Sequence, residues 1–343
     1  MRHSPRVHAL LEAAYDDFHS RYHRGRDPVS LVHAFSAAAD REAAALIAAL
    51  LAYGNVKTIL ASATRVLDAL APSPRVALER GDFPASLHGF RHRFTSELEL
   101  RILFAWLGEI YRSLGSLEAG YGDLARISHQ VSSRGGGDGR LVGRAEGRVG
   151  ESYLDGTSSP GGSPLARSEA ARRPDPSPQQ KAGEKCGLTA GGETRDRLER
   201  FVQKLTSATL PRDLVANRAA RQRQLRYLLP LPSRGSACKR LNMFLRWVVR
   251  PADGIDLGLW RGVPPASLIL PIDTHLLGTV RFLGWSHSRQ ATWKVAEAAT
   301  ARLRLYCPED PIRYDFALCH LSMSGGRLAD YWKAAGKSAE LER

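Results

Sequence analysis

Apolar residues return every three or four positions through most of the chain, and that period decides what the chain can become. In DREAAALIAALLAYGNVKTILASATRVLDAL and in ELELRILFAWLGEIYRSL they form a stripe that fits the 3.6-residue turn of an α-helix. RDRLERFVQKL, KRLNMFLRWVVR, DTHLLGTVRFLGW, SRQATWKVAEAATARLRLY and DPIRYDFALCHLSM repeat the pattern. The alternating, β-branched runs that a sheet requires are missing. The spacing therefore predicts an all-α fold, and no internal repeat is visible. A helix break is expected at Gly54-Asn55, and Asp40, with Glu42 close behind, is the expected N-cap of the helix before it.

One stretch breaks the pattern. Over 126–198 the sequence turns to SSRGGGDGRLVGRAEGRVGE and SSPGGSPLARSEAARRPDPSPQQ, with Tyr153 as its only aromatic residue. So little apolar surface cannot offset the entropy of ordering, and a disordered insert is expected. It separates a first helical half, 1–125, from a second, 199–343, and the two are expected to pack together.

The net charge is +14. The insert holds 12 Lys and Arg against 9 Asp and Glu, so most of the excess lies on the helical parts. A basic chain of this kind favours a polyanionic partner, although Arg-rich, Ala-rich composition can also follow from genome bias. The 43% of apolar residues is enough for a real core. No apolar run nears the roughly 20 residues of a membrane span, so no membrane association is expected. The first residues mix both charge signs and show no leader-like apolar stretch, which makes the cytoplasm the expected location. Cys186, Cys238, Cys307 and Cys319 are scattered without a CxxC, so neither a metal site nor a disulfide framework is indicated. No cofactor is called for, and a monomer is expected.

Two stretches carry possible chemistry. In LLPLPSRGSACKRLNMFLRW a Pro-rich, Gly-bearing turn joins two helical segments, and Lys239 opens the second. A helix start presents unpaired backbone N–H groups that suit a phosphate. In SLILPIDTHLLGTVRFLGW an apolar approach ends at Pro271, and Asp273-Thr274 opens another amphipathic helix. Taken alone, Lys239 with Arg240 can be a solvated helix start and Asp273 an ordinary N-cap.

Together the two stretches resemble the helix-hairpin-helix DNA glycosylases. In the endonuclease III branch the hairpin reads Leu-Pro-Gly-Val-Gly-Arg-Lys-Thr-Ala-Asn, and the catalytic aspartate lies in Val-Asp-Thr-His. Here Gly235-Ser236-Ala237-Cys238-Lys239-Arg240-Leu241-Asn242 keeps the first glycine, the lysine and the asparagine, and Ile272-Asp273-Thr274-His275 keeps Asp-Thr-His. LIAALLAYGNVKTILASATRVL is similar to the family's N-terminal Leu-Ile-Ala-Val-Leu-Leu-Ser-Ala-Gln segment, with Tyr53-Gly54-Asn55 where its glutamine would fall. Ala237 stands in place of the second hairpin glycine, and the 34 positions from Lys239 to Asp273 are closer to the spacing of the archaeal 8-oxoguanine glycosylases. KRLNMFLRWVVR, DLGLW, PIDTH and DPIRYDFALC also resemble an uncharacterised bacterial family distantly related to these enzymes.

What the resemblance implies is a DNA-repair glycosylase, with or without abasic-site lyase activity, acting on double-stranded DNA that holds a damaged base or an abasic site. The damaged base would be an oxidised purine. Lys239 would be the nucleophile and Asp273 its proton acceptor. Gly235, Ser236, Ala237, Arg240 and Asn242 would form the DNA-binding hairpin. Trp260, in the turn-like GIDLGLWRGVPP, and His275, beside Asp273, are candidate pocket residues. The four-cysteine iron–sulfur cluster that some relatives carry cannot be built here. The rival reading is a non-catalytic helix-hairpin-helix DNA-binding protein.

Overall fold

The computed structural model describes residues 3–122, 178–207, 227–324 and 327–341. The insert expected over 126–198 lies outside the described residues as far as 177. Two units divide the chain, Met1–Leu124 with Cys186–Arg343, and Ala125–Lys185. Everything below concerns the first.

The fold is all-α. Eight helices precede the insert: α1 (Pro5–Phe18), α2 (Arg21–Arg24), α3 (Val29–Val32), α4 (Ala38–Leu51), α5 (Val56–Ala69), α6 (Pro74–Arg80), α7 (Glu97–Leu114) and α8 (Leu117–Tyr121). Six more follow: α9 (Pro178–Ser207), α10 (Lys239–Val249), α11 (Thr274–Phe282), α12 (Trp293–Leu303), α13 (Asp315–Met323) and α14 (Arg327–Leu341). The only paired strands among the described residues are β1 (Arg91–His92) and β2 (Thr95–Ser96), a two-rung antiparallel hairpin.

Helix α9 moves one expected boundary. It begins inside the segment read as disordered, and Thr194, Leu198, Phe201, Val202 and Leu205 are buried along one of its faces. The apolar stripe is short and diluted by glycine and charge at its N-terminal end, so composition alone hid it.

Helix α4 is the central element. From Ala43 to Leu51 every residue is buried, as expected of a helix that is apolar all round. It packs on α3, α5, α6 and α10. The N-cap expected at Asp40 is a misplacement by two residues: α4 starts at Ala38 after an extended Ala37. Asp40 instead accepts from Ser73 Oγ at 2.6 Å and from Arg75 N at 3.0 Å, serving the start of α6. Glu42 likewise accepts from Leu117 N at 3.0 Å and Glu118 N at 3.1 Å, at the start of α8. Both acids complement the free amides of a neighbouring helix rather than their own. Burial pushes the Glu42 carboxyl above the usual carboxylate range, against the pull of these hydrogen bonds.

Packing does not follow chain order. Helix α1, capped by Ser4, buries Val7, Leu10, Leu11, Ala14 and Phe18 and lies against α13 and α14, while α11 also packs on α13. Helices from the two ends of the chain thus share one cluster. A second gathers α4 to α8, with α10 packed on α4.

Candidate functional site

Helix α10 joins the two clusters to the chemistry. The chain enters through buried Leu228, Leu229 and Pro232 and a short turn, Pro232–Arg234, which ends at Gly235 with φ 79. Glycine suits that left-handed backbone, which strains any residue with a Cβ. Cys238 is left-handed too, with φ 48, and is the residue before α10. Three contacts hold this irregular stretch. Cys238 N donates to Ser236 Oγ at 3.1 Å, and Asn242 Nδ2 donates to Ala237 O at 3.0 Å. Ser236 also bridges to Thr292 in a single β-bridge, just ahead of α12. Asn242 therefore works inside the hairpin, and Ala237 and Asn242 are buried while Gly235 faces outward. No side chain caps the first turn of α10.

Asp273 arrives from the other side. Leu268, Ile269, Leu270 and Ile272 are buried, and Leu270 N is held by Thr300 Oγ1 of α12 at 3.0 Å. The extended Asp273 then caps α11, its Oδ1 accepting from Leu276 N at 2.9 Å. Its other oxygen, Oδ2, lies 3.9 Å from Lys239 Nζ. The lysine and aspartate side chains are 30% and 24% exposed, so the pair is open to a ligand yet held by its surroundings.

Beside the pair is a cavity of about 480 Å³, lined among others by Tyr53, Tyr227, Arg234, Cys238, Lys239 and Ile272. A volume in the hundreds of cubic ångströms suits a single small ring system.

Two assignments made from sequence do not hold. Arg240 is buried rather than presented to a phosphate: its Nη1 donates to Leu50 O at 2.7 Å, its Nη2 donates to Tyr227 O, and its guanidinium lies 4.9 Å and 5.0 Å from the Tyr53 and Tyr227 rings. It satisfies the end of α4, where the last carbonyls lack helical partners. Trp260 does not line the cavity. Its indole is buried against Tyr121 and Phe244 and donates to Glu42 Oε1 at 2.6 Å. A large indole with a polar N–H found a core partner that no local pattern announces. His275 is exposed on α11 and is not among the residues that line the cavity.

The sequence also left unseen a buried ionic cluster on α10. Arg246 and Arg250 lie seven and eleven positions after Lys239, which places all three on one side of the helix. Arg246 contacts Asp256 at 3.1 Å and Asp315, at the start of α13, at 2.5 Å. Arg250 reaches Asp310 at 2.9 Å and Asp253 at 3.1 Å, and also pairs with Asp256. His19 of the α1 end meets Asp253 at 3.0 Å. Four carboxylates surround two guanidiniums in this buried place. Burial, only partly countered by Arg246, accordingly pushes the Asp315 carboxyl up to about 6, and burial also raises Asp256. The cluster ties α10, α13 and the loop over 253–256 into one frame behind Lys239. Three basic and five acidic residues scattered over the second half were the only sequence sign of it.

Among the described residues no group of three His, Cys, Asp or Glu side chains could hold a metal ion, and no helix is long and apolar enough to cross a membrane.

Comparison with known families gives one match. A family model described as "Protein of unknown function (DUF2400)" covers residues 27–134 and 183–324. No curated protein and no solved structure matches the chain.

Proposed function

We infer what this chain does, as a member of the DUF2400 family, from the geometry around Lys239: we propose a DNA-repair glycosylase with abasic-site lyase activity, acting on an oxidised purine in double-stranded DNA. The observation that carries the reading is the approach of Lys239 Nζ to Asp273 Oδ2, 3.9 Å, beside a cavity sized for one base. The resemblance of the two motifs to helix-hairpin-helix glycosylases supports it, as does the basic charge of the chain.

In this proposal the damaged nucleotide leaves the stack, because its glycosidic bond is out of reach inside the duplex. The Lys239 ammonium passes a proton to Asp273, and the freed amine attacks C1′ of the sugar. The C1′–N bond breaks, its electron pair leaves with the base, and the base takes a proton from water. Asp273 balances the positive charge that builds on the sugar. Ring opening gives a Schiff base on Lys239. Loss of a C2′ proton then expels the 3′ phosphate, and water hydrolyses the imine to restore the amine. The open amides at the start of α10, with Gly235 and Ser236, would hold a backbone phosphate.

Asp273 also caps α11, which is the observation that favours the rival reading, a hairpin that binds DNA without chemistry. Borohydride reduction separates the two. With the full chain and a duplex carrying an abasic site or an oxidised purine, the proposal expects a covalent protein–DNA product through Lys239. Duplex binding with no trapped product on any such strand would leave the non-catalytic module.

A further inference from the structure

The rim of the Lys239 cavity carries a feature that the proposed chemistry does not use. In the β1–β2 hairpin the inward residues are locked. His92 is buried, its Nδ1 at 3.0 Å from Ser62 Oγ and its Nε2 at 3.1 Å from Tyr53 O. The Tyr53 hydroxyl donates to His92 O at 2.8 Å and to Thr95 Oγ1 at 2.7 Å. Ser96 then starts the capping box of α7 with Glu99. Held this firmly, the hairpin turns Arg91, Arg93 and Phe94 outward, and Phe94 is 59% exposed.

The tip is also strained. Arg93 has φ 51, a conformation an arginine rarely adopts. Gly54 leaves room for it, since a Cβ there would stand 2.9 Å from Arg93 Cδ and Nη1. A strained backbone that presents an exposed phenylalanine between two arginines disfavours the isolated protein twice, through the dihedral and through the apolar surface left in water. The arrangement makes sense if a partner covers the ring.

The aromatic surface continues toward the lysine. Phe94 meets Tyr227 with ring centroids 4.9 Å apart, and Tyr227 meets Tyr53 at 5.2 Å. Tyr53 and Tyr227 line the same cavity as Lys239, and the Arg93 guanidinium lies 5.6 Å from the Phe94 ring. Exposed rings flanked by cations match a partner that offers flat faces and negative charge together, which is the description of a nucleobase with its phosphates.

We propose that the β1–β2 hairpin is a wedge: Phe94 enters the base stack where a nucleotide has left it, with Arg91 and Arg93 on the flanking phosphates. The inference rests on the DNA reading above and adds to it the element that keeps the duplex open. Apolar side chains placed between base steps unstack and kink a duplex in this way.

The test compares two duplexes of one sequence, one intact and one with a central tetrahydrofuran abasic analogue, against the full chain and its Phe94→Ala and Phe94→Trp variants. Wild type should prefer the abasic duplex. Phe94→Ala should lower affinity for that duplex about tenfold, as expected for the loss of one stacked ring, and change intact-duplex affinity less than about twofold. Phe94→Trp should restore the preference, which a merely structural defect would not allow. If wild type prefers the abasic duplex and Phe94→Ala keeps that preference in full, the wedge is wrong while the DNA reading stands. If wild type binds neither duplex, both fall.

Discussion

Asp273 divides its two oxygens between two tasks: Oδ1 accepts from Leu276 N at 2.9 Å to cap α11, and Oδ2 faces Lys239 Nζ at 3.9 Å. Capping and chemistry are therefore not competing accounts of this residue, since one carboxylate can do both at once. The cap fixes the carboxyl rotamer, and a fixed rotamer is what a proton acceptor needs to meet the same amine each time.

The division separates three variants. Asp273→Asn keeps an oxygen for Leu276 N, so its melting temperature should stay near wild type, while turnover on an abasic duplex should fall by about two orders of magnitude or more. Asp273→Ala loses the cap as well and should cost about 1 kcal/mol of stability. Lys239→Ala should abolish borohydride trapping and leave intact-duplex affinity nearly unchanged, because that affinity sums many phosphate contacts. Parallel loss of binding in Lys239→Ala and Asp273→Asn would assign both residues to binding or folding.

Two neighbouring arginines should behave oppositely. Arg234 is exposed at the cavity edge; Arg234→Ala should reduce the salt slope of duplex binding by about one unit without affecting stability. Arg240 is buried and bonded to Leu50 O at 2.7 Å. Arg240→Met should cost on the order of 2 kcal/mol, read by denaturant melting, and leave the salt slope alone. Equal effects on the slope would return Arg240 to the DNA interface.

Asp315 gives a pH signature. Burial raises its carboxyl from the ordinary range to about 6, so between pH 4 and 6 the folded state holds a proton that the unfolded state has released. Its contribution to stability is fully present below about pH 4 and is lost as pH rises through 6. Relative to Asp315→Asn, wild type should lose stability over this window with a slope of up to about 1.4 kcal/mol per pH unit. Urea melts of both proteins at pH 4, 5 and 6 measure it, and a constant difference would deny the raised value.

Gly108 tests packing against helix propensity. In the interior of α7 a Gly→Ala exchange would ordinarily stabilise by about 1 kcal/mol. Here the added Cβ would meet Leu78 O at 2.3 Å. The clash with backbone should win, with a net loss of about 1–3 kcal/mol visible as a lower melting temperature.

How much of this was legible beforehand differs from residue to residue. The helical period, the hairpin glycine at Gly235, and the helix starts at Lys239 and Asp273 all depend on neighbours within a few positions, and local backbone sterics and capping decide them. The sequence by itself therefore determined the all-α class and which two segments begin where chemistry could sit. Tertiary structure alone decided that Arg240 points inward to Leu50, that Trp260 meets Glu42 across 218 positions, and that Asp40 serves the start of α6. The hairpin with Phe94 and the ionic cluster of Arg246 and Asp315 belong to the same group. A buried polar atom must find a partner, and where that partner comes from is settled by which helices pack together, a choice made by the summed burial of whole faces and recorded in no short stretch of sequence.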